Sequence, residues 1–176
     1  MASPLSLFMP INPGVNLQQM AAGLGQMSEQ LNQALTQVGT VHYARILLLD
    51  RSTPNLQPNP SDPSQDYVLA IITEYDGSFE KYISDFVARV GKIFDALLVF
   101  VVGGAALIPV VDHQDAFLAY IKANDASQDP AESGQQLYEA YTNTVQSLLA
   151  LGATPPVGNA APPASGSSSS SSPVQS

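Results

Sequence analysis

Gly91-Lys92-Ile93-Phe94-Asp95-Ala96-Leu97-Leu98-Val99-Phe100-Val101-Val102-Gly103-Gly104 is the stretch on which the fold turns. Its apolar residues are nearly consecutive, and glycines stand at both ends. A short continuous apolar run between turn residues is the pattern of a strand buried on both faces. Residues 93 to 102 are therefore predicted as a strand that Gly103-Gly104 closes. On this reading Gly91 ends the element before it. That element is an amphipathic helix running to about Val90, because Phe79, Tyr82, Ile83, Phe86, Val87 and Val90 share one helical face. Asp76-Gly77-Ser78 supplies the preceding turn and an N-cap.

Working back toward the N-terminus, residues 67 to 74 alternate as a strand, and residues 51 to 66 carry Pro54, Pro58, Pro60 and Pro63 among polar residues. That proline spacing predicts an exposed connection. Before it, residues 41 to 50 form a strand apolar on both faces. His42, Ala44, Ile46 and Leu48 point one way, and Tyr43, Arg45, Leu47 and Leu49 the other. Leu17, Met20, Leu24, Met27, Leu31, Leu35 and Val38 mark a helix from Asn16 to Gly39, a residue suited to the left-handed C-terminal position. Residues 5 to 11 make a first strand, ended by Asn12-Pro13-Gly14.

Toward the C-terminus, Asp112 caps a further helix burying Phe117, Leu118 and Ile121. Leu137, Tyr141, Val145, Leu148 and Leu149 suggest a final helix stopping at Gly152. Residues 155 to 176 are Pro, Ala and Ser without a core-forming period, which reads as a solvated tail.

The order strand, helix, strand, strand, helix, strand is the ferredoxin-like βαββαβ pattern, so the fold class is α+β with an antiparallel sheet. The expected organisation is a domain over residues 1–125, a helical extension over 126–152 and a disordered tail over 153–176. Both helices of that pattern cover one sheet face. Strands apolar on both sides must bury the other face as well, most simply against a second copy, so a homodimer is expected.

Composition narrows the partners. The chain has 6 Lys and Arg against 15 Asp and Glu, a formal charge of −9. Lys81, Arg89 and Lys92 alone lie close together in sequence, too few to neutralise a phosphate backbone, so no nucleic acid is expected. The same scarcity disfavours an anionic membrane surface. Residues 96 to 111 are the one candidate membrane span, but Gly103, Gly104 and Pro109 interrupt them short of about 20 apolar residues. The N-terminus lacks the positive region of a secretory signal. Cysteine is absent, which excludes disulfides and thiolate chemistry and fits a cytoplasmic setting.

Residues 5 to 11 with the following long helix, then Val41-His42-Tyr43-Ala44-Arg45-Ile46, then Glu74-Tyr75-Asp76-Gly77-Ser78-Phe79 with Tyr82 and Asp85-Phe86, resemble the dimeric α/β-barrel superfamily. Within it they look most like a group of largely uncharacterised bacterial proteins distantly similar to dye-decolourising peroxidase domains. The resemblance covers residues 4 to about 125. It implies a homodimer with a barrel-like interior and admits haem peroxidases, cofactor-free oxygenases and plain binding proteins. Peroxidases of that type carry Gly-x-x-Asp-Gly. Here Thr73-Glu74-Tyr75 precedes Asp76-Gly77 without the first glycine, so no distal catalytic aspartate is carried over.

The candidate ligand-binding residues are His42, Tyr43, Arg45, Tyr75 and Asp76. An imidazole lining a barrel suits a haem ligand or a general base, and equally a hydrogen bond to the backbone at a strand end. An arginine on an apolar strand needs an anion, which Asp76, Glu74 or a ligand carboxylate can supply; Asp76 also suits a helix cap. His113, beside Asp112 and near Asp115, is one imidazole among carboxylates that capping explains, so no metal site is expected. No catalytic triad, phosphate loop, zinc-protease helix or dinucleotide fingerprint occurs.

The expected function is a homodimeric protein that binds an apolar or carboxylate-bearing small molecule between two sheets. The alternatives are a haem-dependent peroxidase-like or cofactor-free oxygenase enzyme, and a cargo or assembly protein tethered by its Pro/Ser-rich tail.

Overall fold

The computed structural model describes residues 2–59, 66–128 and 143–153. In chain order these form β1 (Ala2–Pro10), α1 (Leu17–Val38), β2 (Val41–Asp50), β3 (Tyr67–Asp76), α2 (Phe79–Leu98), a 3-10 helix (Gly104–Leu107), α3 (Gln114–Asn124), a second 3-10 helix (Ala126–Gln128) and α4 (Val145–Ala150). The expected tail over 155–176 and most of the expected helix before Val145 lie outside the described residues.

The three strands form one antiparallel sheet in the order β1-β3-β2. Since residues opposite one another share a face, the register reads as rows. Leu7, Ile71 and Ile46 make one row, and Phe8, Ala70 and Leu47 make the next, on the opposite face. The inner rows join the core with α1, α2 and α3.

α1 begins where Asn16 accepts from the Gln19 N–H at 3.0 Å, and it ends at Gly39, whose φ of 67° no larger residue adopts easily. α2 is capped by Ser78, which accepts from the Lys81 N–H.

Residues 93 to 102 do not form the expected strand. α2 runs through Gly91 to Leu98, and Ile93, Phe94, Leu97 and Leu98 are buried on the helical face begun by Phe86 and Val90. The physical reason is that a run this apolar satisfies a buried helix and a buried strand alike, and only its neighbours decide. Gly91 is not a terminator. A Cβ placed there would lie 3.2 Å from the Val110 side chain, so glycine lets this segment seat against α2. What remains of the fourth strand is a single bridge between Val101 and Ile11. It is flanked by hydrogen bonds from Asn12 N to Phe100 O and from Val102 N to Pro10 O, each 2.8 Å. α3 likewise starts one residue later than expected, with His113 rather than Asp112 at the N-cap.

A series of rings runs through the core. Tyr75 stacks on Tyr82 at 4.1 Å between centroids, then Phe86, Phe94 and Phe117 follow at 5.3, 5.2 and 5.2 Å. The series links β3, α2 and α3, and its last member is 1% exposed. No helix of the described residues is long and apolar enough to cross a membrane.

Phe117→Ala should therefore cost about 3–5 kcal/mol, the loss expected for a phenyl ring that leaves a cavity. Leu151→Ala, at a side chain 78% exposed, should change stability by less than about 0.5 kcal/mol. Urea unfolding of both variants checks the difference.

Candidate functional site

The pairing of β2 with β3 breaks at one place. Tyr43 faces Glu74 and every later pair follows in step, but Val41 faces Tyr75, so His42 is the extra residue of a bulge. A bulge re-aims the side chain it carries. Strict alternation would have kept His42 with Ala44 and Ile46. Instead its Nε2 lies 3.0 Å from Asp76 Oδ1 at the end of β3, with both side chains largely buried.

Asp76 holds more than His42. Its Oδ2 accepts from the Val145 N–H at 2.8 Å, and its own N–H donates to Thr40 O at 2.8 Å. Beside it, Gln146 Nε2 donates to Gly39 O at 2.6 Å. One carboxylate thus ties together the end of β3, the start of β2 and the first residue of α4. Sequence reasoning had Asp76 as a cap for α2. That task falls to Ser78; α4 is capped by Thr144, and Asp76 accepts from the N–H of its first residue.

The five predicted residues are not brought to one place. Tyr43 and Arg45 stand exposed on the outer sheet face, Tyr43 at 75%. Arg45 forms no ion pair with Asp76 or Glu74; the pair that reaches Asp76 is His42. Tyr75 points to the inner face, stacked on Tyr82. Burial, aided by the charges of Asp125, Glu80 and Glu74, pushes its phenol up to about 12. Burial likewise takes the Tyr82 phenol to about 12, although its hydrogen bond with Thr73 at 3.2 Å works the other way.

Glu74 was considered only as a partner for Arg45, yet it is the least ordinary group on the outer face. It sits between Pro4 and Tyr43 in the register, and its Oε2 is shielded from solvent without a hydrogen-bond partner among the described residues. Burial holds its carboxyl above the usual carboxylate range, and the nearby His42 draws it back down. The signal was legible: Glu74 shares its face with Val68, Ala70 and Ile72, an acid closing an apolar alternation.

The Nε2 that the bulge presents is held by Asp76, which leaves Nδ1 as the ring nitrogen that could ligate a haem iron. His113 is exposed at the N-cap of α3, and no cluster of three or more His, Asp or Glu suited to a metal ion occurs among the described residues.

Two outcomes follow. Asp76→Ala should free α4, giving fast amide exchange over Val145–Ala150 and a stability loss of about 1–3 kcal/mol, as for other satisfied buried groups whose partner is removed. Hydrogen exchange by mass spectrometry reads both. For Tyr75 and Tyr82 the folded pKa is raised above the ordinary 10.0, so their contribution to stability is whole below about pH 10 and is lost as pH rises through about 12. Tyr82→Phe should flatten the fall of melting temperature across that window, followed alongside tyrosinate absorbance.

No family model, curated protein or solved structure matches the chain, so the functional reading rests on its own residues.

Proposed function

We propose that the protein is a homodimeric small-molecule-binding protein in which two copies bring the outer faces of their sheets together around an apolar ligand. The observation that carries this is the outer face itself. Phe8, Leu47, Leu49, Val68, Ala70 and Ile72 all lie on it, and none belongs to the core that the helices build. Ala70, at the centre of the face, is 0% exposed and Val68 beside it 5%.

Phe8, Leu47, Leu49 and Ile72 are half-buried, and a contiguous apolar face is seldom left to water even in part. Two such faces pack about 10 Å apart, and where small side chains such as Ala70 meet, the gap suits an apolar ligand. The few polar groups at the rim, Tyr43, Arg45 and Glu74, would orient the ligand or the partner. Arg45 can accept a carboxylate, so the ligand class spans apolar molecules with or without an acid group.

The finer fold assignment belongs with this reading. The order β1, α1, β2, β3, α2 and the strand order β1-β3-β2 accord with a ferredoxin-like unit whose fourth strand has shrunk to the Val101 bridge. The resemblance to dimeric α/β-barrel proteins points the same way.

Native mass spectrometry should find a dimer at micromolar concentration, with added mass when ligand is retained. Leu47→Asp, a charge in the middle of the outer face, should yield a folded monomer. A wild type that stays monomeric and soluble would remove the reading.

A further inference from the structure

α4 is held to the sheet by polar ties more than by packing. None of its side chains is buried, and Leu148 stands exposed. Two hydrogen bonds join it to the sheet end. The Val145 N–H donates to Asp76 Oδ2 at 2.8 Å, and Gln146 Nε2 donates to Gly39 O at 2.6 Å. The seat is close-fitting, since a Cβ at Gly39 would lie 2.7 Å from that same Nε2.

The charge at the centre of these ties belongs to Asp76, and a titratable group holds its other oxygen. His42 Nε2 lies 3.0 Å from Asp76 Oδ1, with the two side chains 16% and 13% exposed. Glu74 is a second carboxylate within the reach of His42, which draws its carboxyl down against the rise that burial causes. The neighbouring elements add little charge. Neither α4 nor β1 has an ionisable side chain, α1 has Glu29 alone, well before its last turn, and Tyr43 and Arg45 of β2 stand exposed. The backbone beneath is fixed separately, by the Asp76 N–H donating to Thr40 O at 2.8 Å.

With His42 neutral, the carboxylate that α4 covers keeps its charge uncompensated, and Glu74 adds to the negative field. With His42 protonated, a cation lies against both. Shielding a charge from water costs less when an opposite charge is shielded with it, so the protonated pair is the easier one for α4 to cover. A neutral imidazole still donates to Asp76, but a hydrogen bond between ions is about twice as strong and holds the carboxylate more firmly for the Val145 N–H.

We infer that His42 is a proton-sensitive latch, whose protonation fastens α4 to the end of the sheet through Asp76 and whose deprotonation loosens it. A proton on His42 and α4 on the sheet favour one another by linkage. Histidine changes charge between about pH 5 and 8, so the latch closes toward the acid end of that range and opens toward the other. It works within one chain and does not depend on the homodimer proposed above.

Hydrogen exchange by mass spectrometry at the two ends of that range, with labelling times scaled to the intrinsic rate at each pH, tests the latch. In the wild type, protection over Val145–Ala150 should be at least about fivefold greater at the acid end, a low value for two coupled events. Protection over Tyr67–Asp76 is the reference and should change less. His42→Gln keeps a donor without a titrating group and should remove the dependence. His42→Lys is charged throughout and should keep α4 protected at both ends, which also serves should the glutamine variant fail to fold by circular dichroism. His113→Gln, at the exposed histidine, should behave as wild type. Wild-type protection of α4 that is equal at the two ends or greater at the alkaline end would overturn the latch. So would a dependence that survives in the His42 variants or vanishes in His113→Gln.

Discussion

The described elements are placed relative to β3, the strand paired along both edges. Its ten residues alternate between two apolar environments, and that alternation is the constraint the remaining elements obey. Leu69, Ile71, Thr73 and Tyr75 face inward, where Tyr75 meets Tyr82 and so fixes α2 across the sheet. Val68, Ala70, Ile72 and Glu74 face outward, away from the core that α1, α2 and α3 build. A shift of one residue in this strand would exchange the two sets and place Glu74 in the aromatic core.

The parts of the fold legible in the sequence were those decided by local chemistry. The bounds of β2 follow from its apolar run ending at Asp50, α1 follows from Asn16 and Gly39, and the start of α2 follows from Ser78. Residues 93 to 102 were misread because nothing within them separates helix from strand. Their long-range neighbours decide, and one of these is Val110, which packs beside Gly91 from outside the run. With residues 93 to 98 held in α2, the β1 edge is closed piecemeal: Val101 bridges Ile11, Asp125 bridges Leu7, and Ser6 N donates to Asp125 Oδ1 at 2.9 Å. Short irregular segments do here what a full strand would do, shielding an edge from stray pairing.

The candidate site was legible as a list of residues and not as an arrangement. Period-two alternation sorted Tyr43 and Arg45 correctly onto one face. It misplaced His42, because a bulge leaves no trace in a sequence whose neighbours are all strand formers. The tie from Asp76 to Val145 joins residues 69 positions apart, so the role of Asp76 as the clasp of α4 was beyond any local reading. The outcome favours a structural role for the imidazole and the aspartate, and it moves attention from the end of the sheet to its outer face.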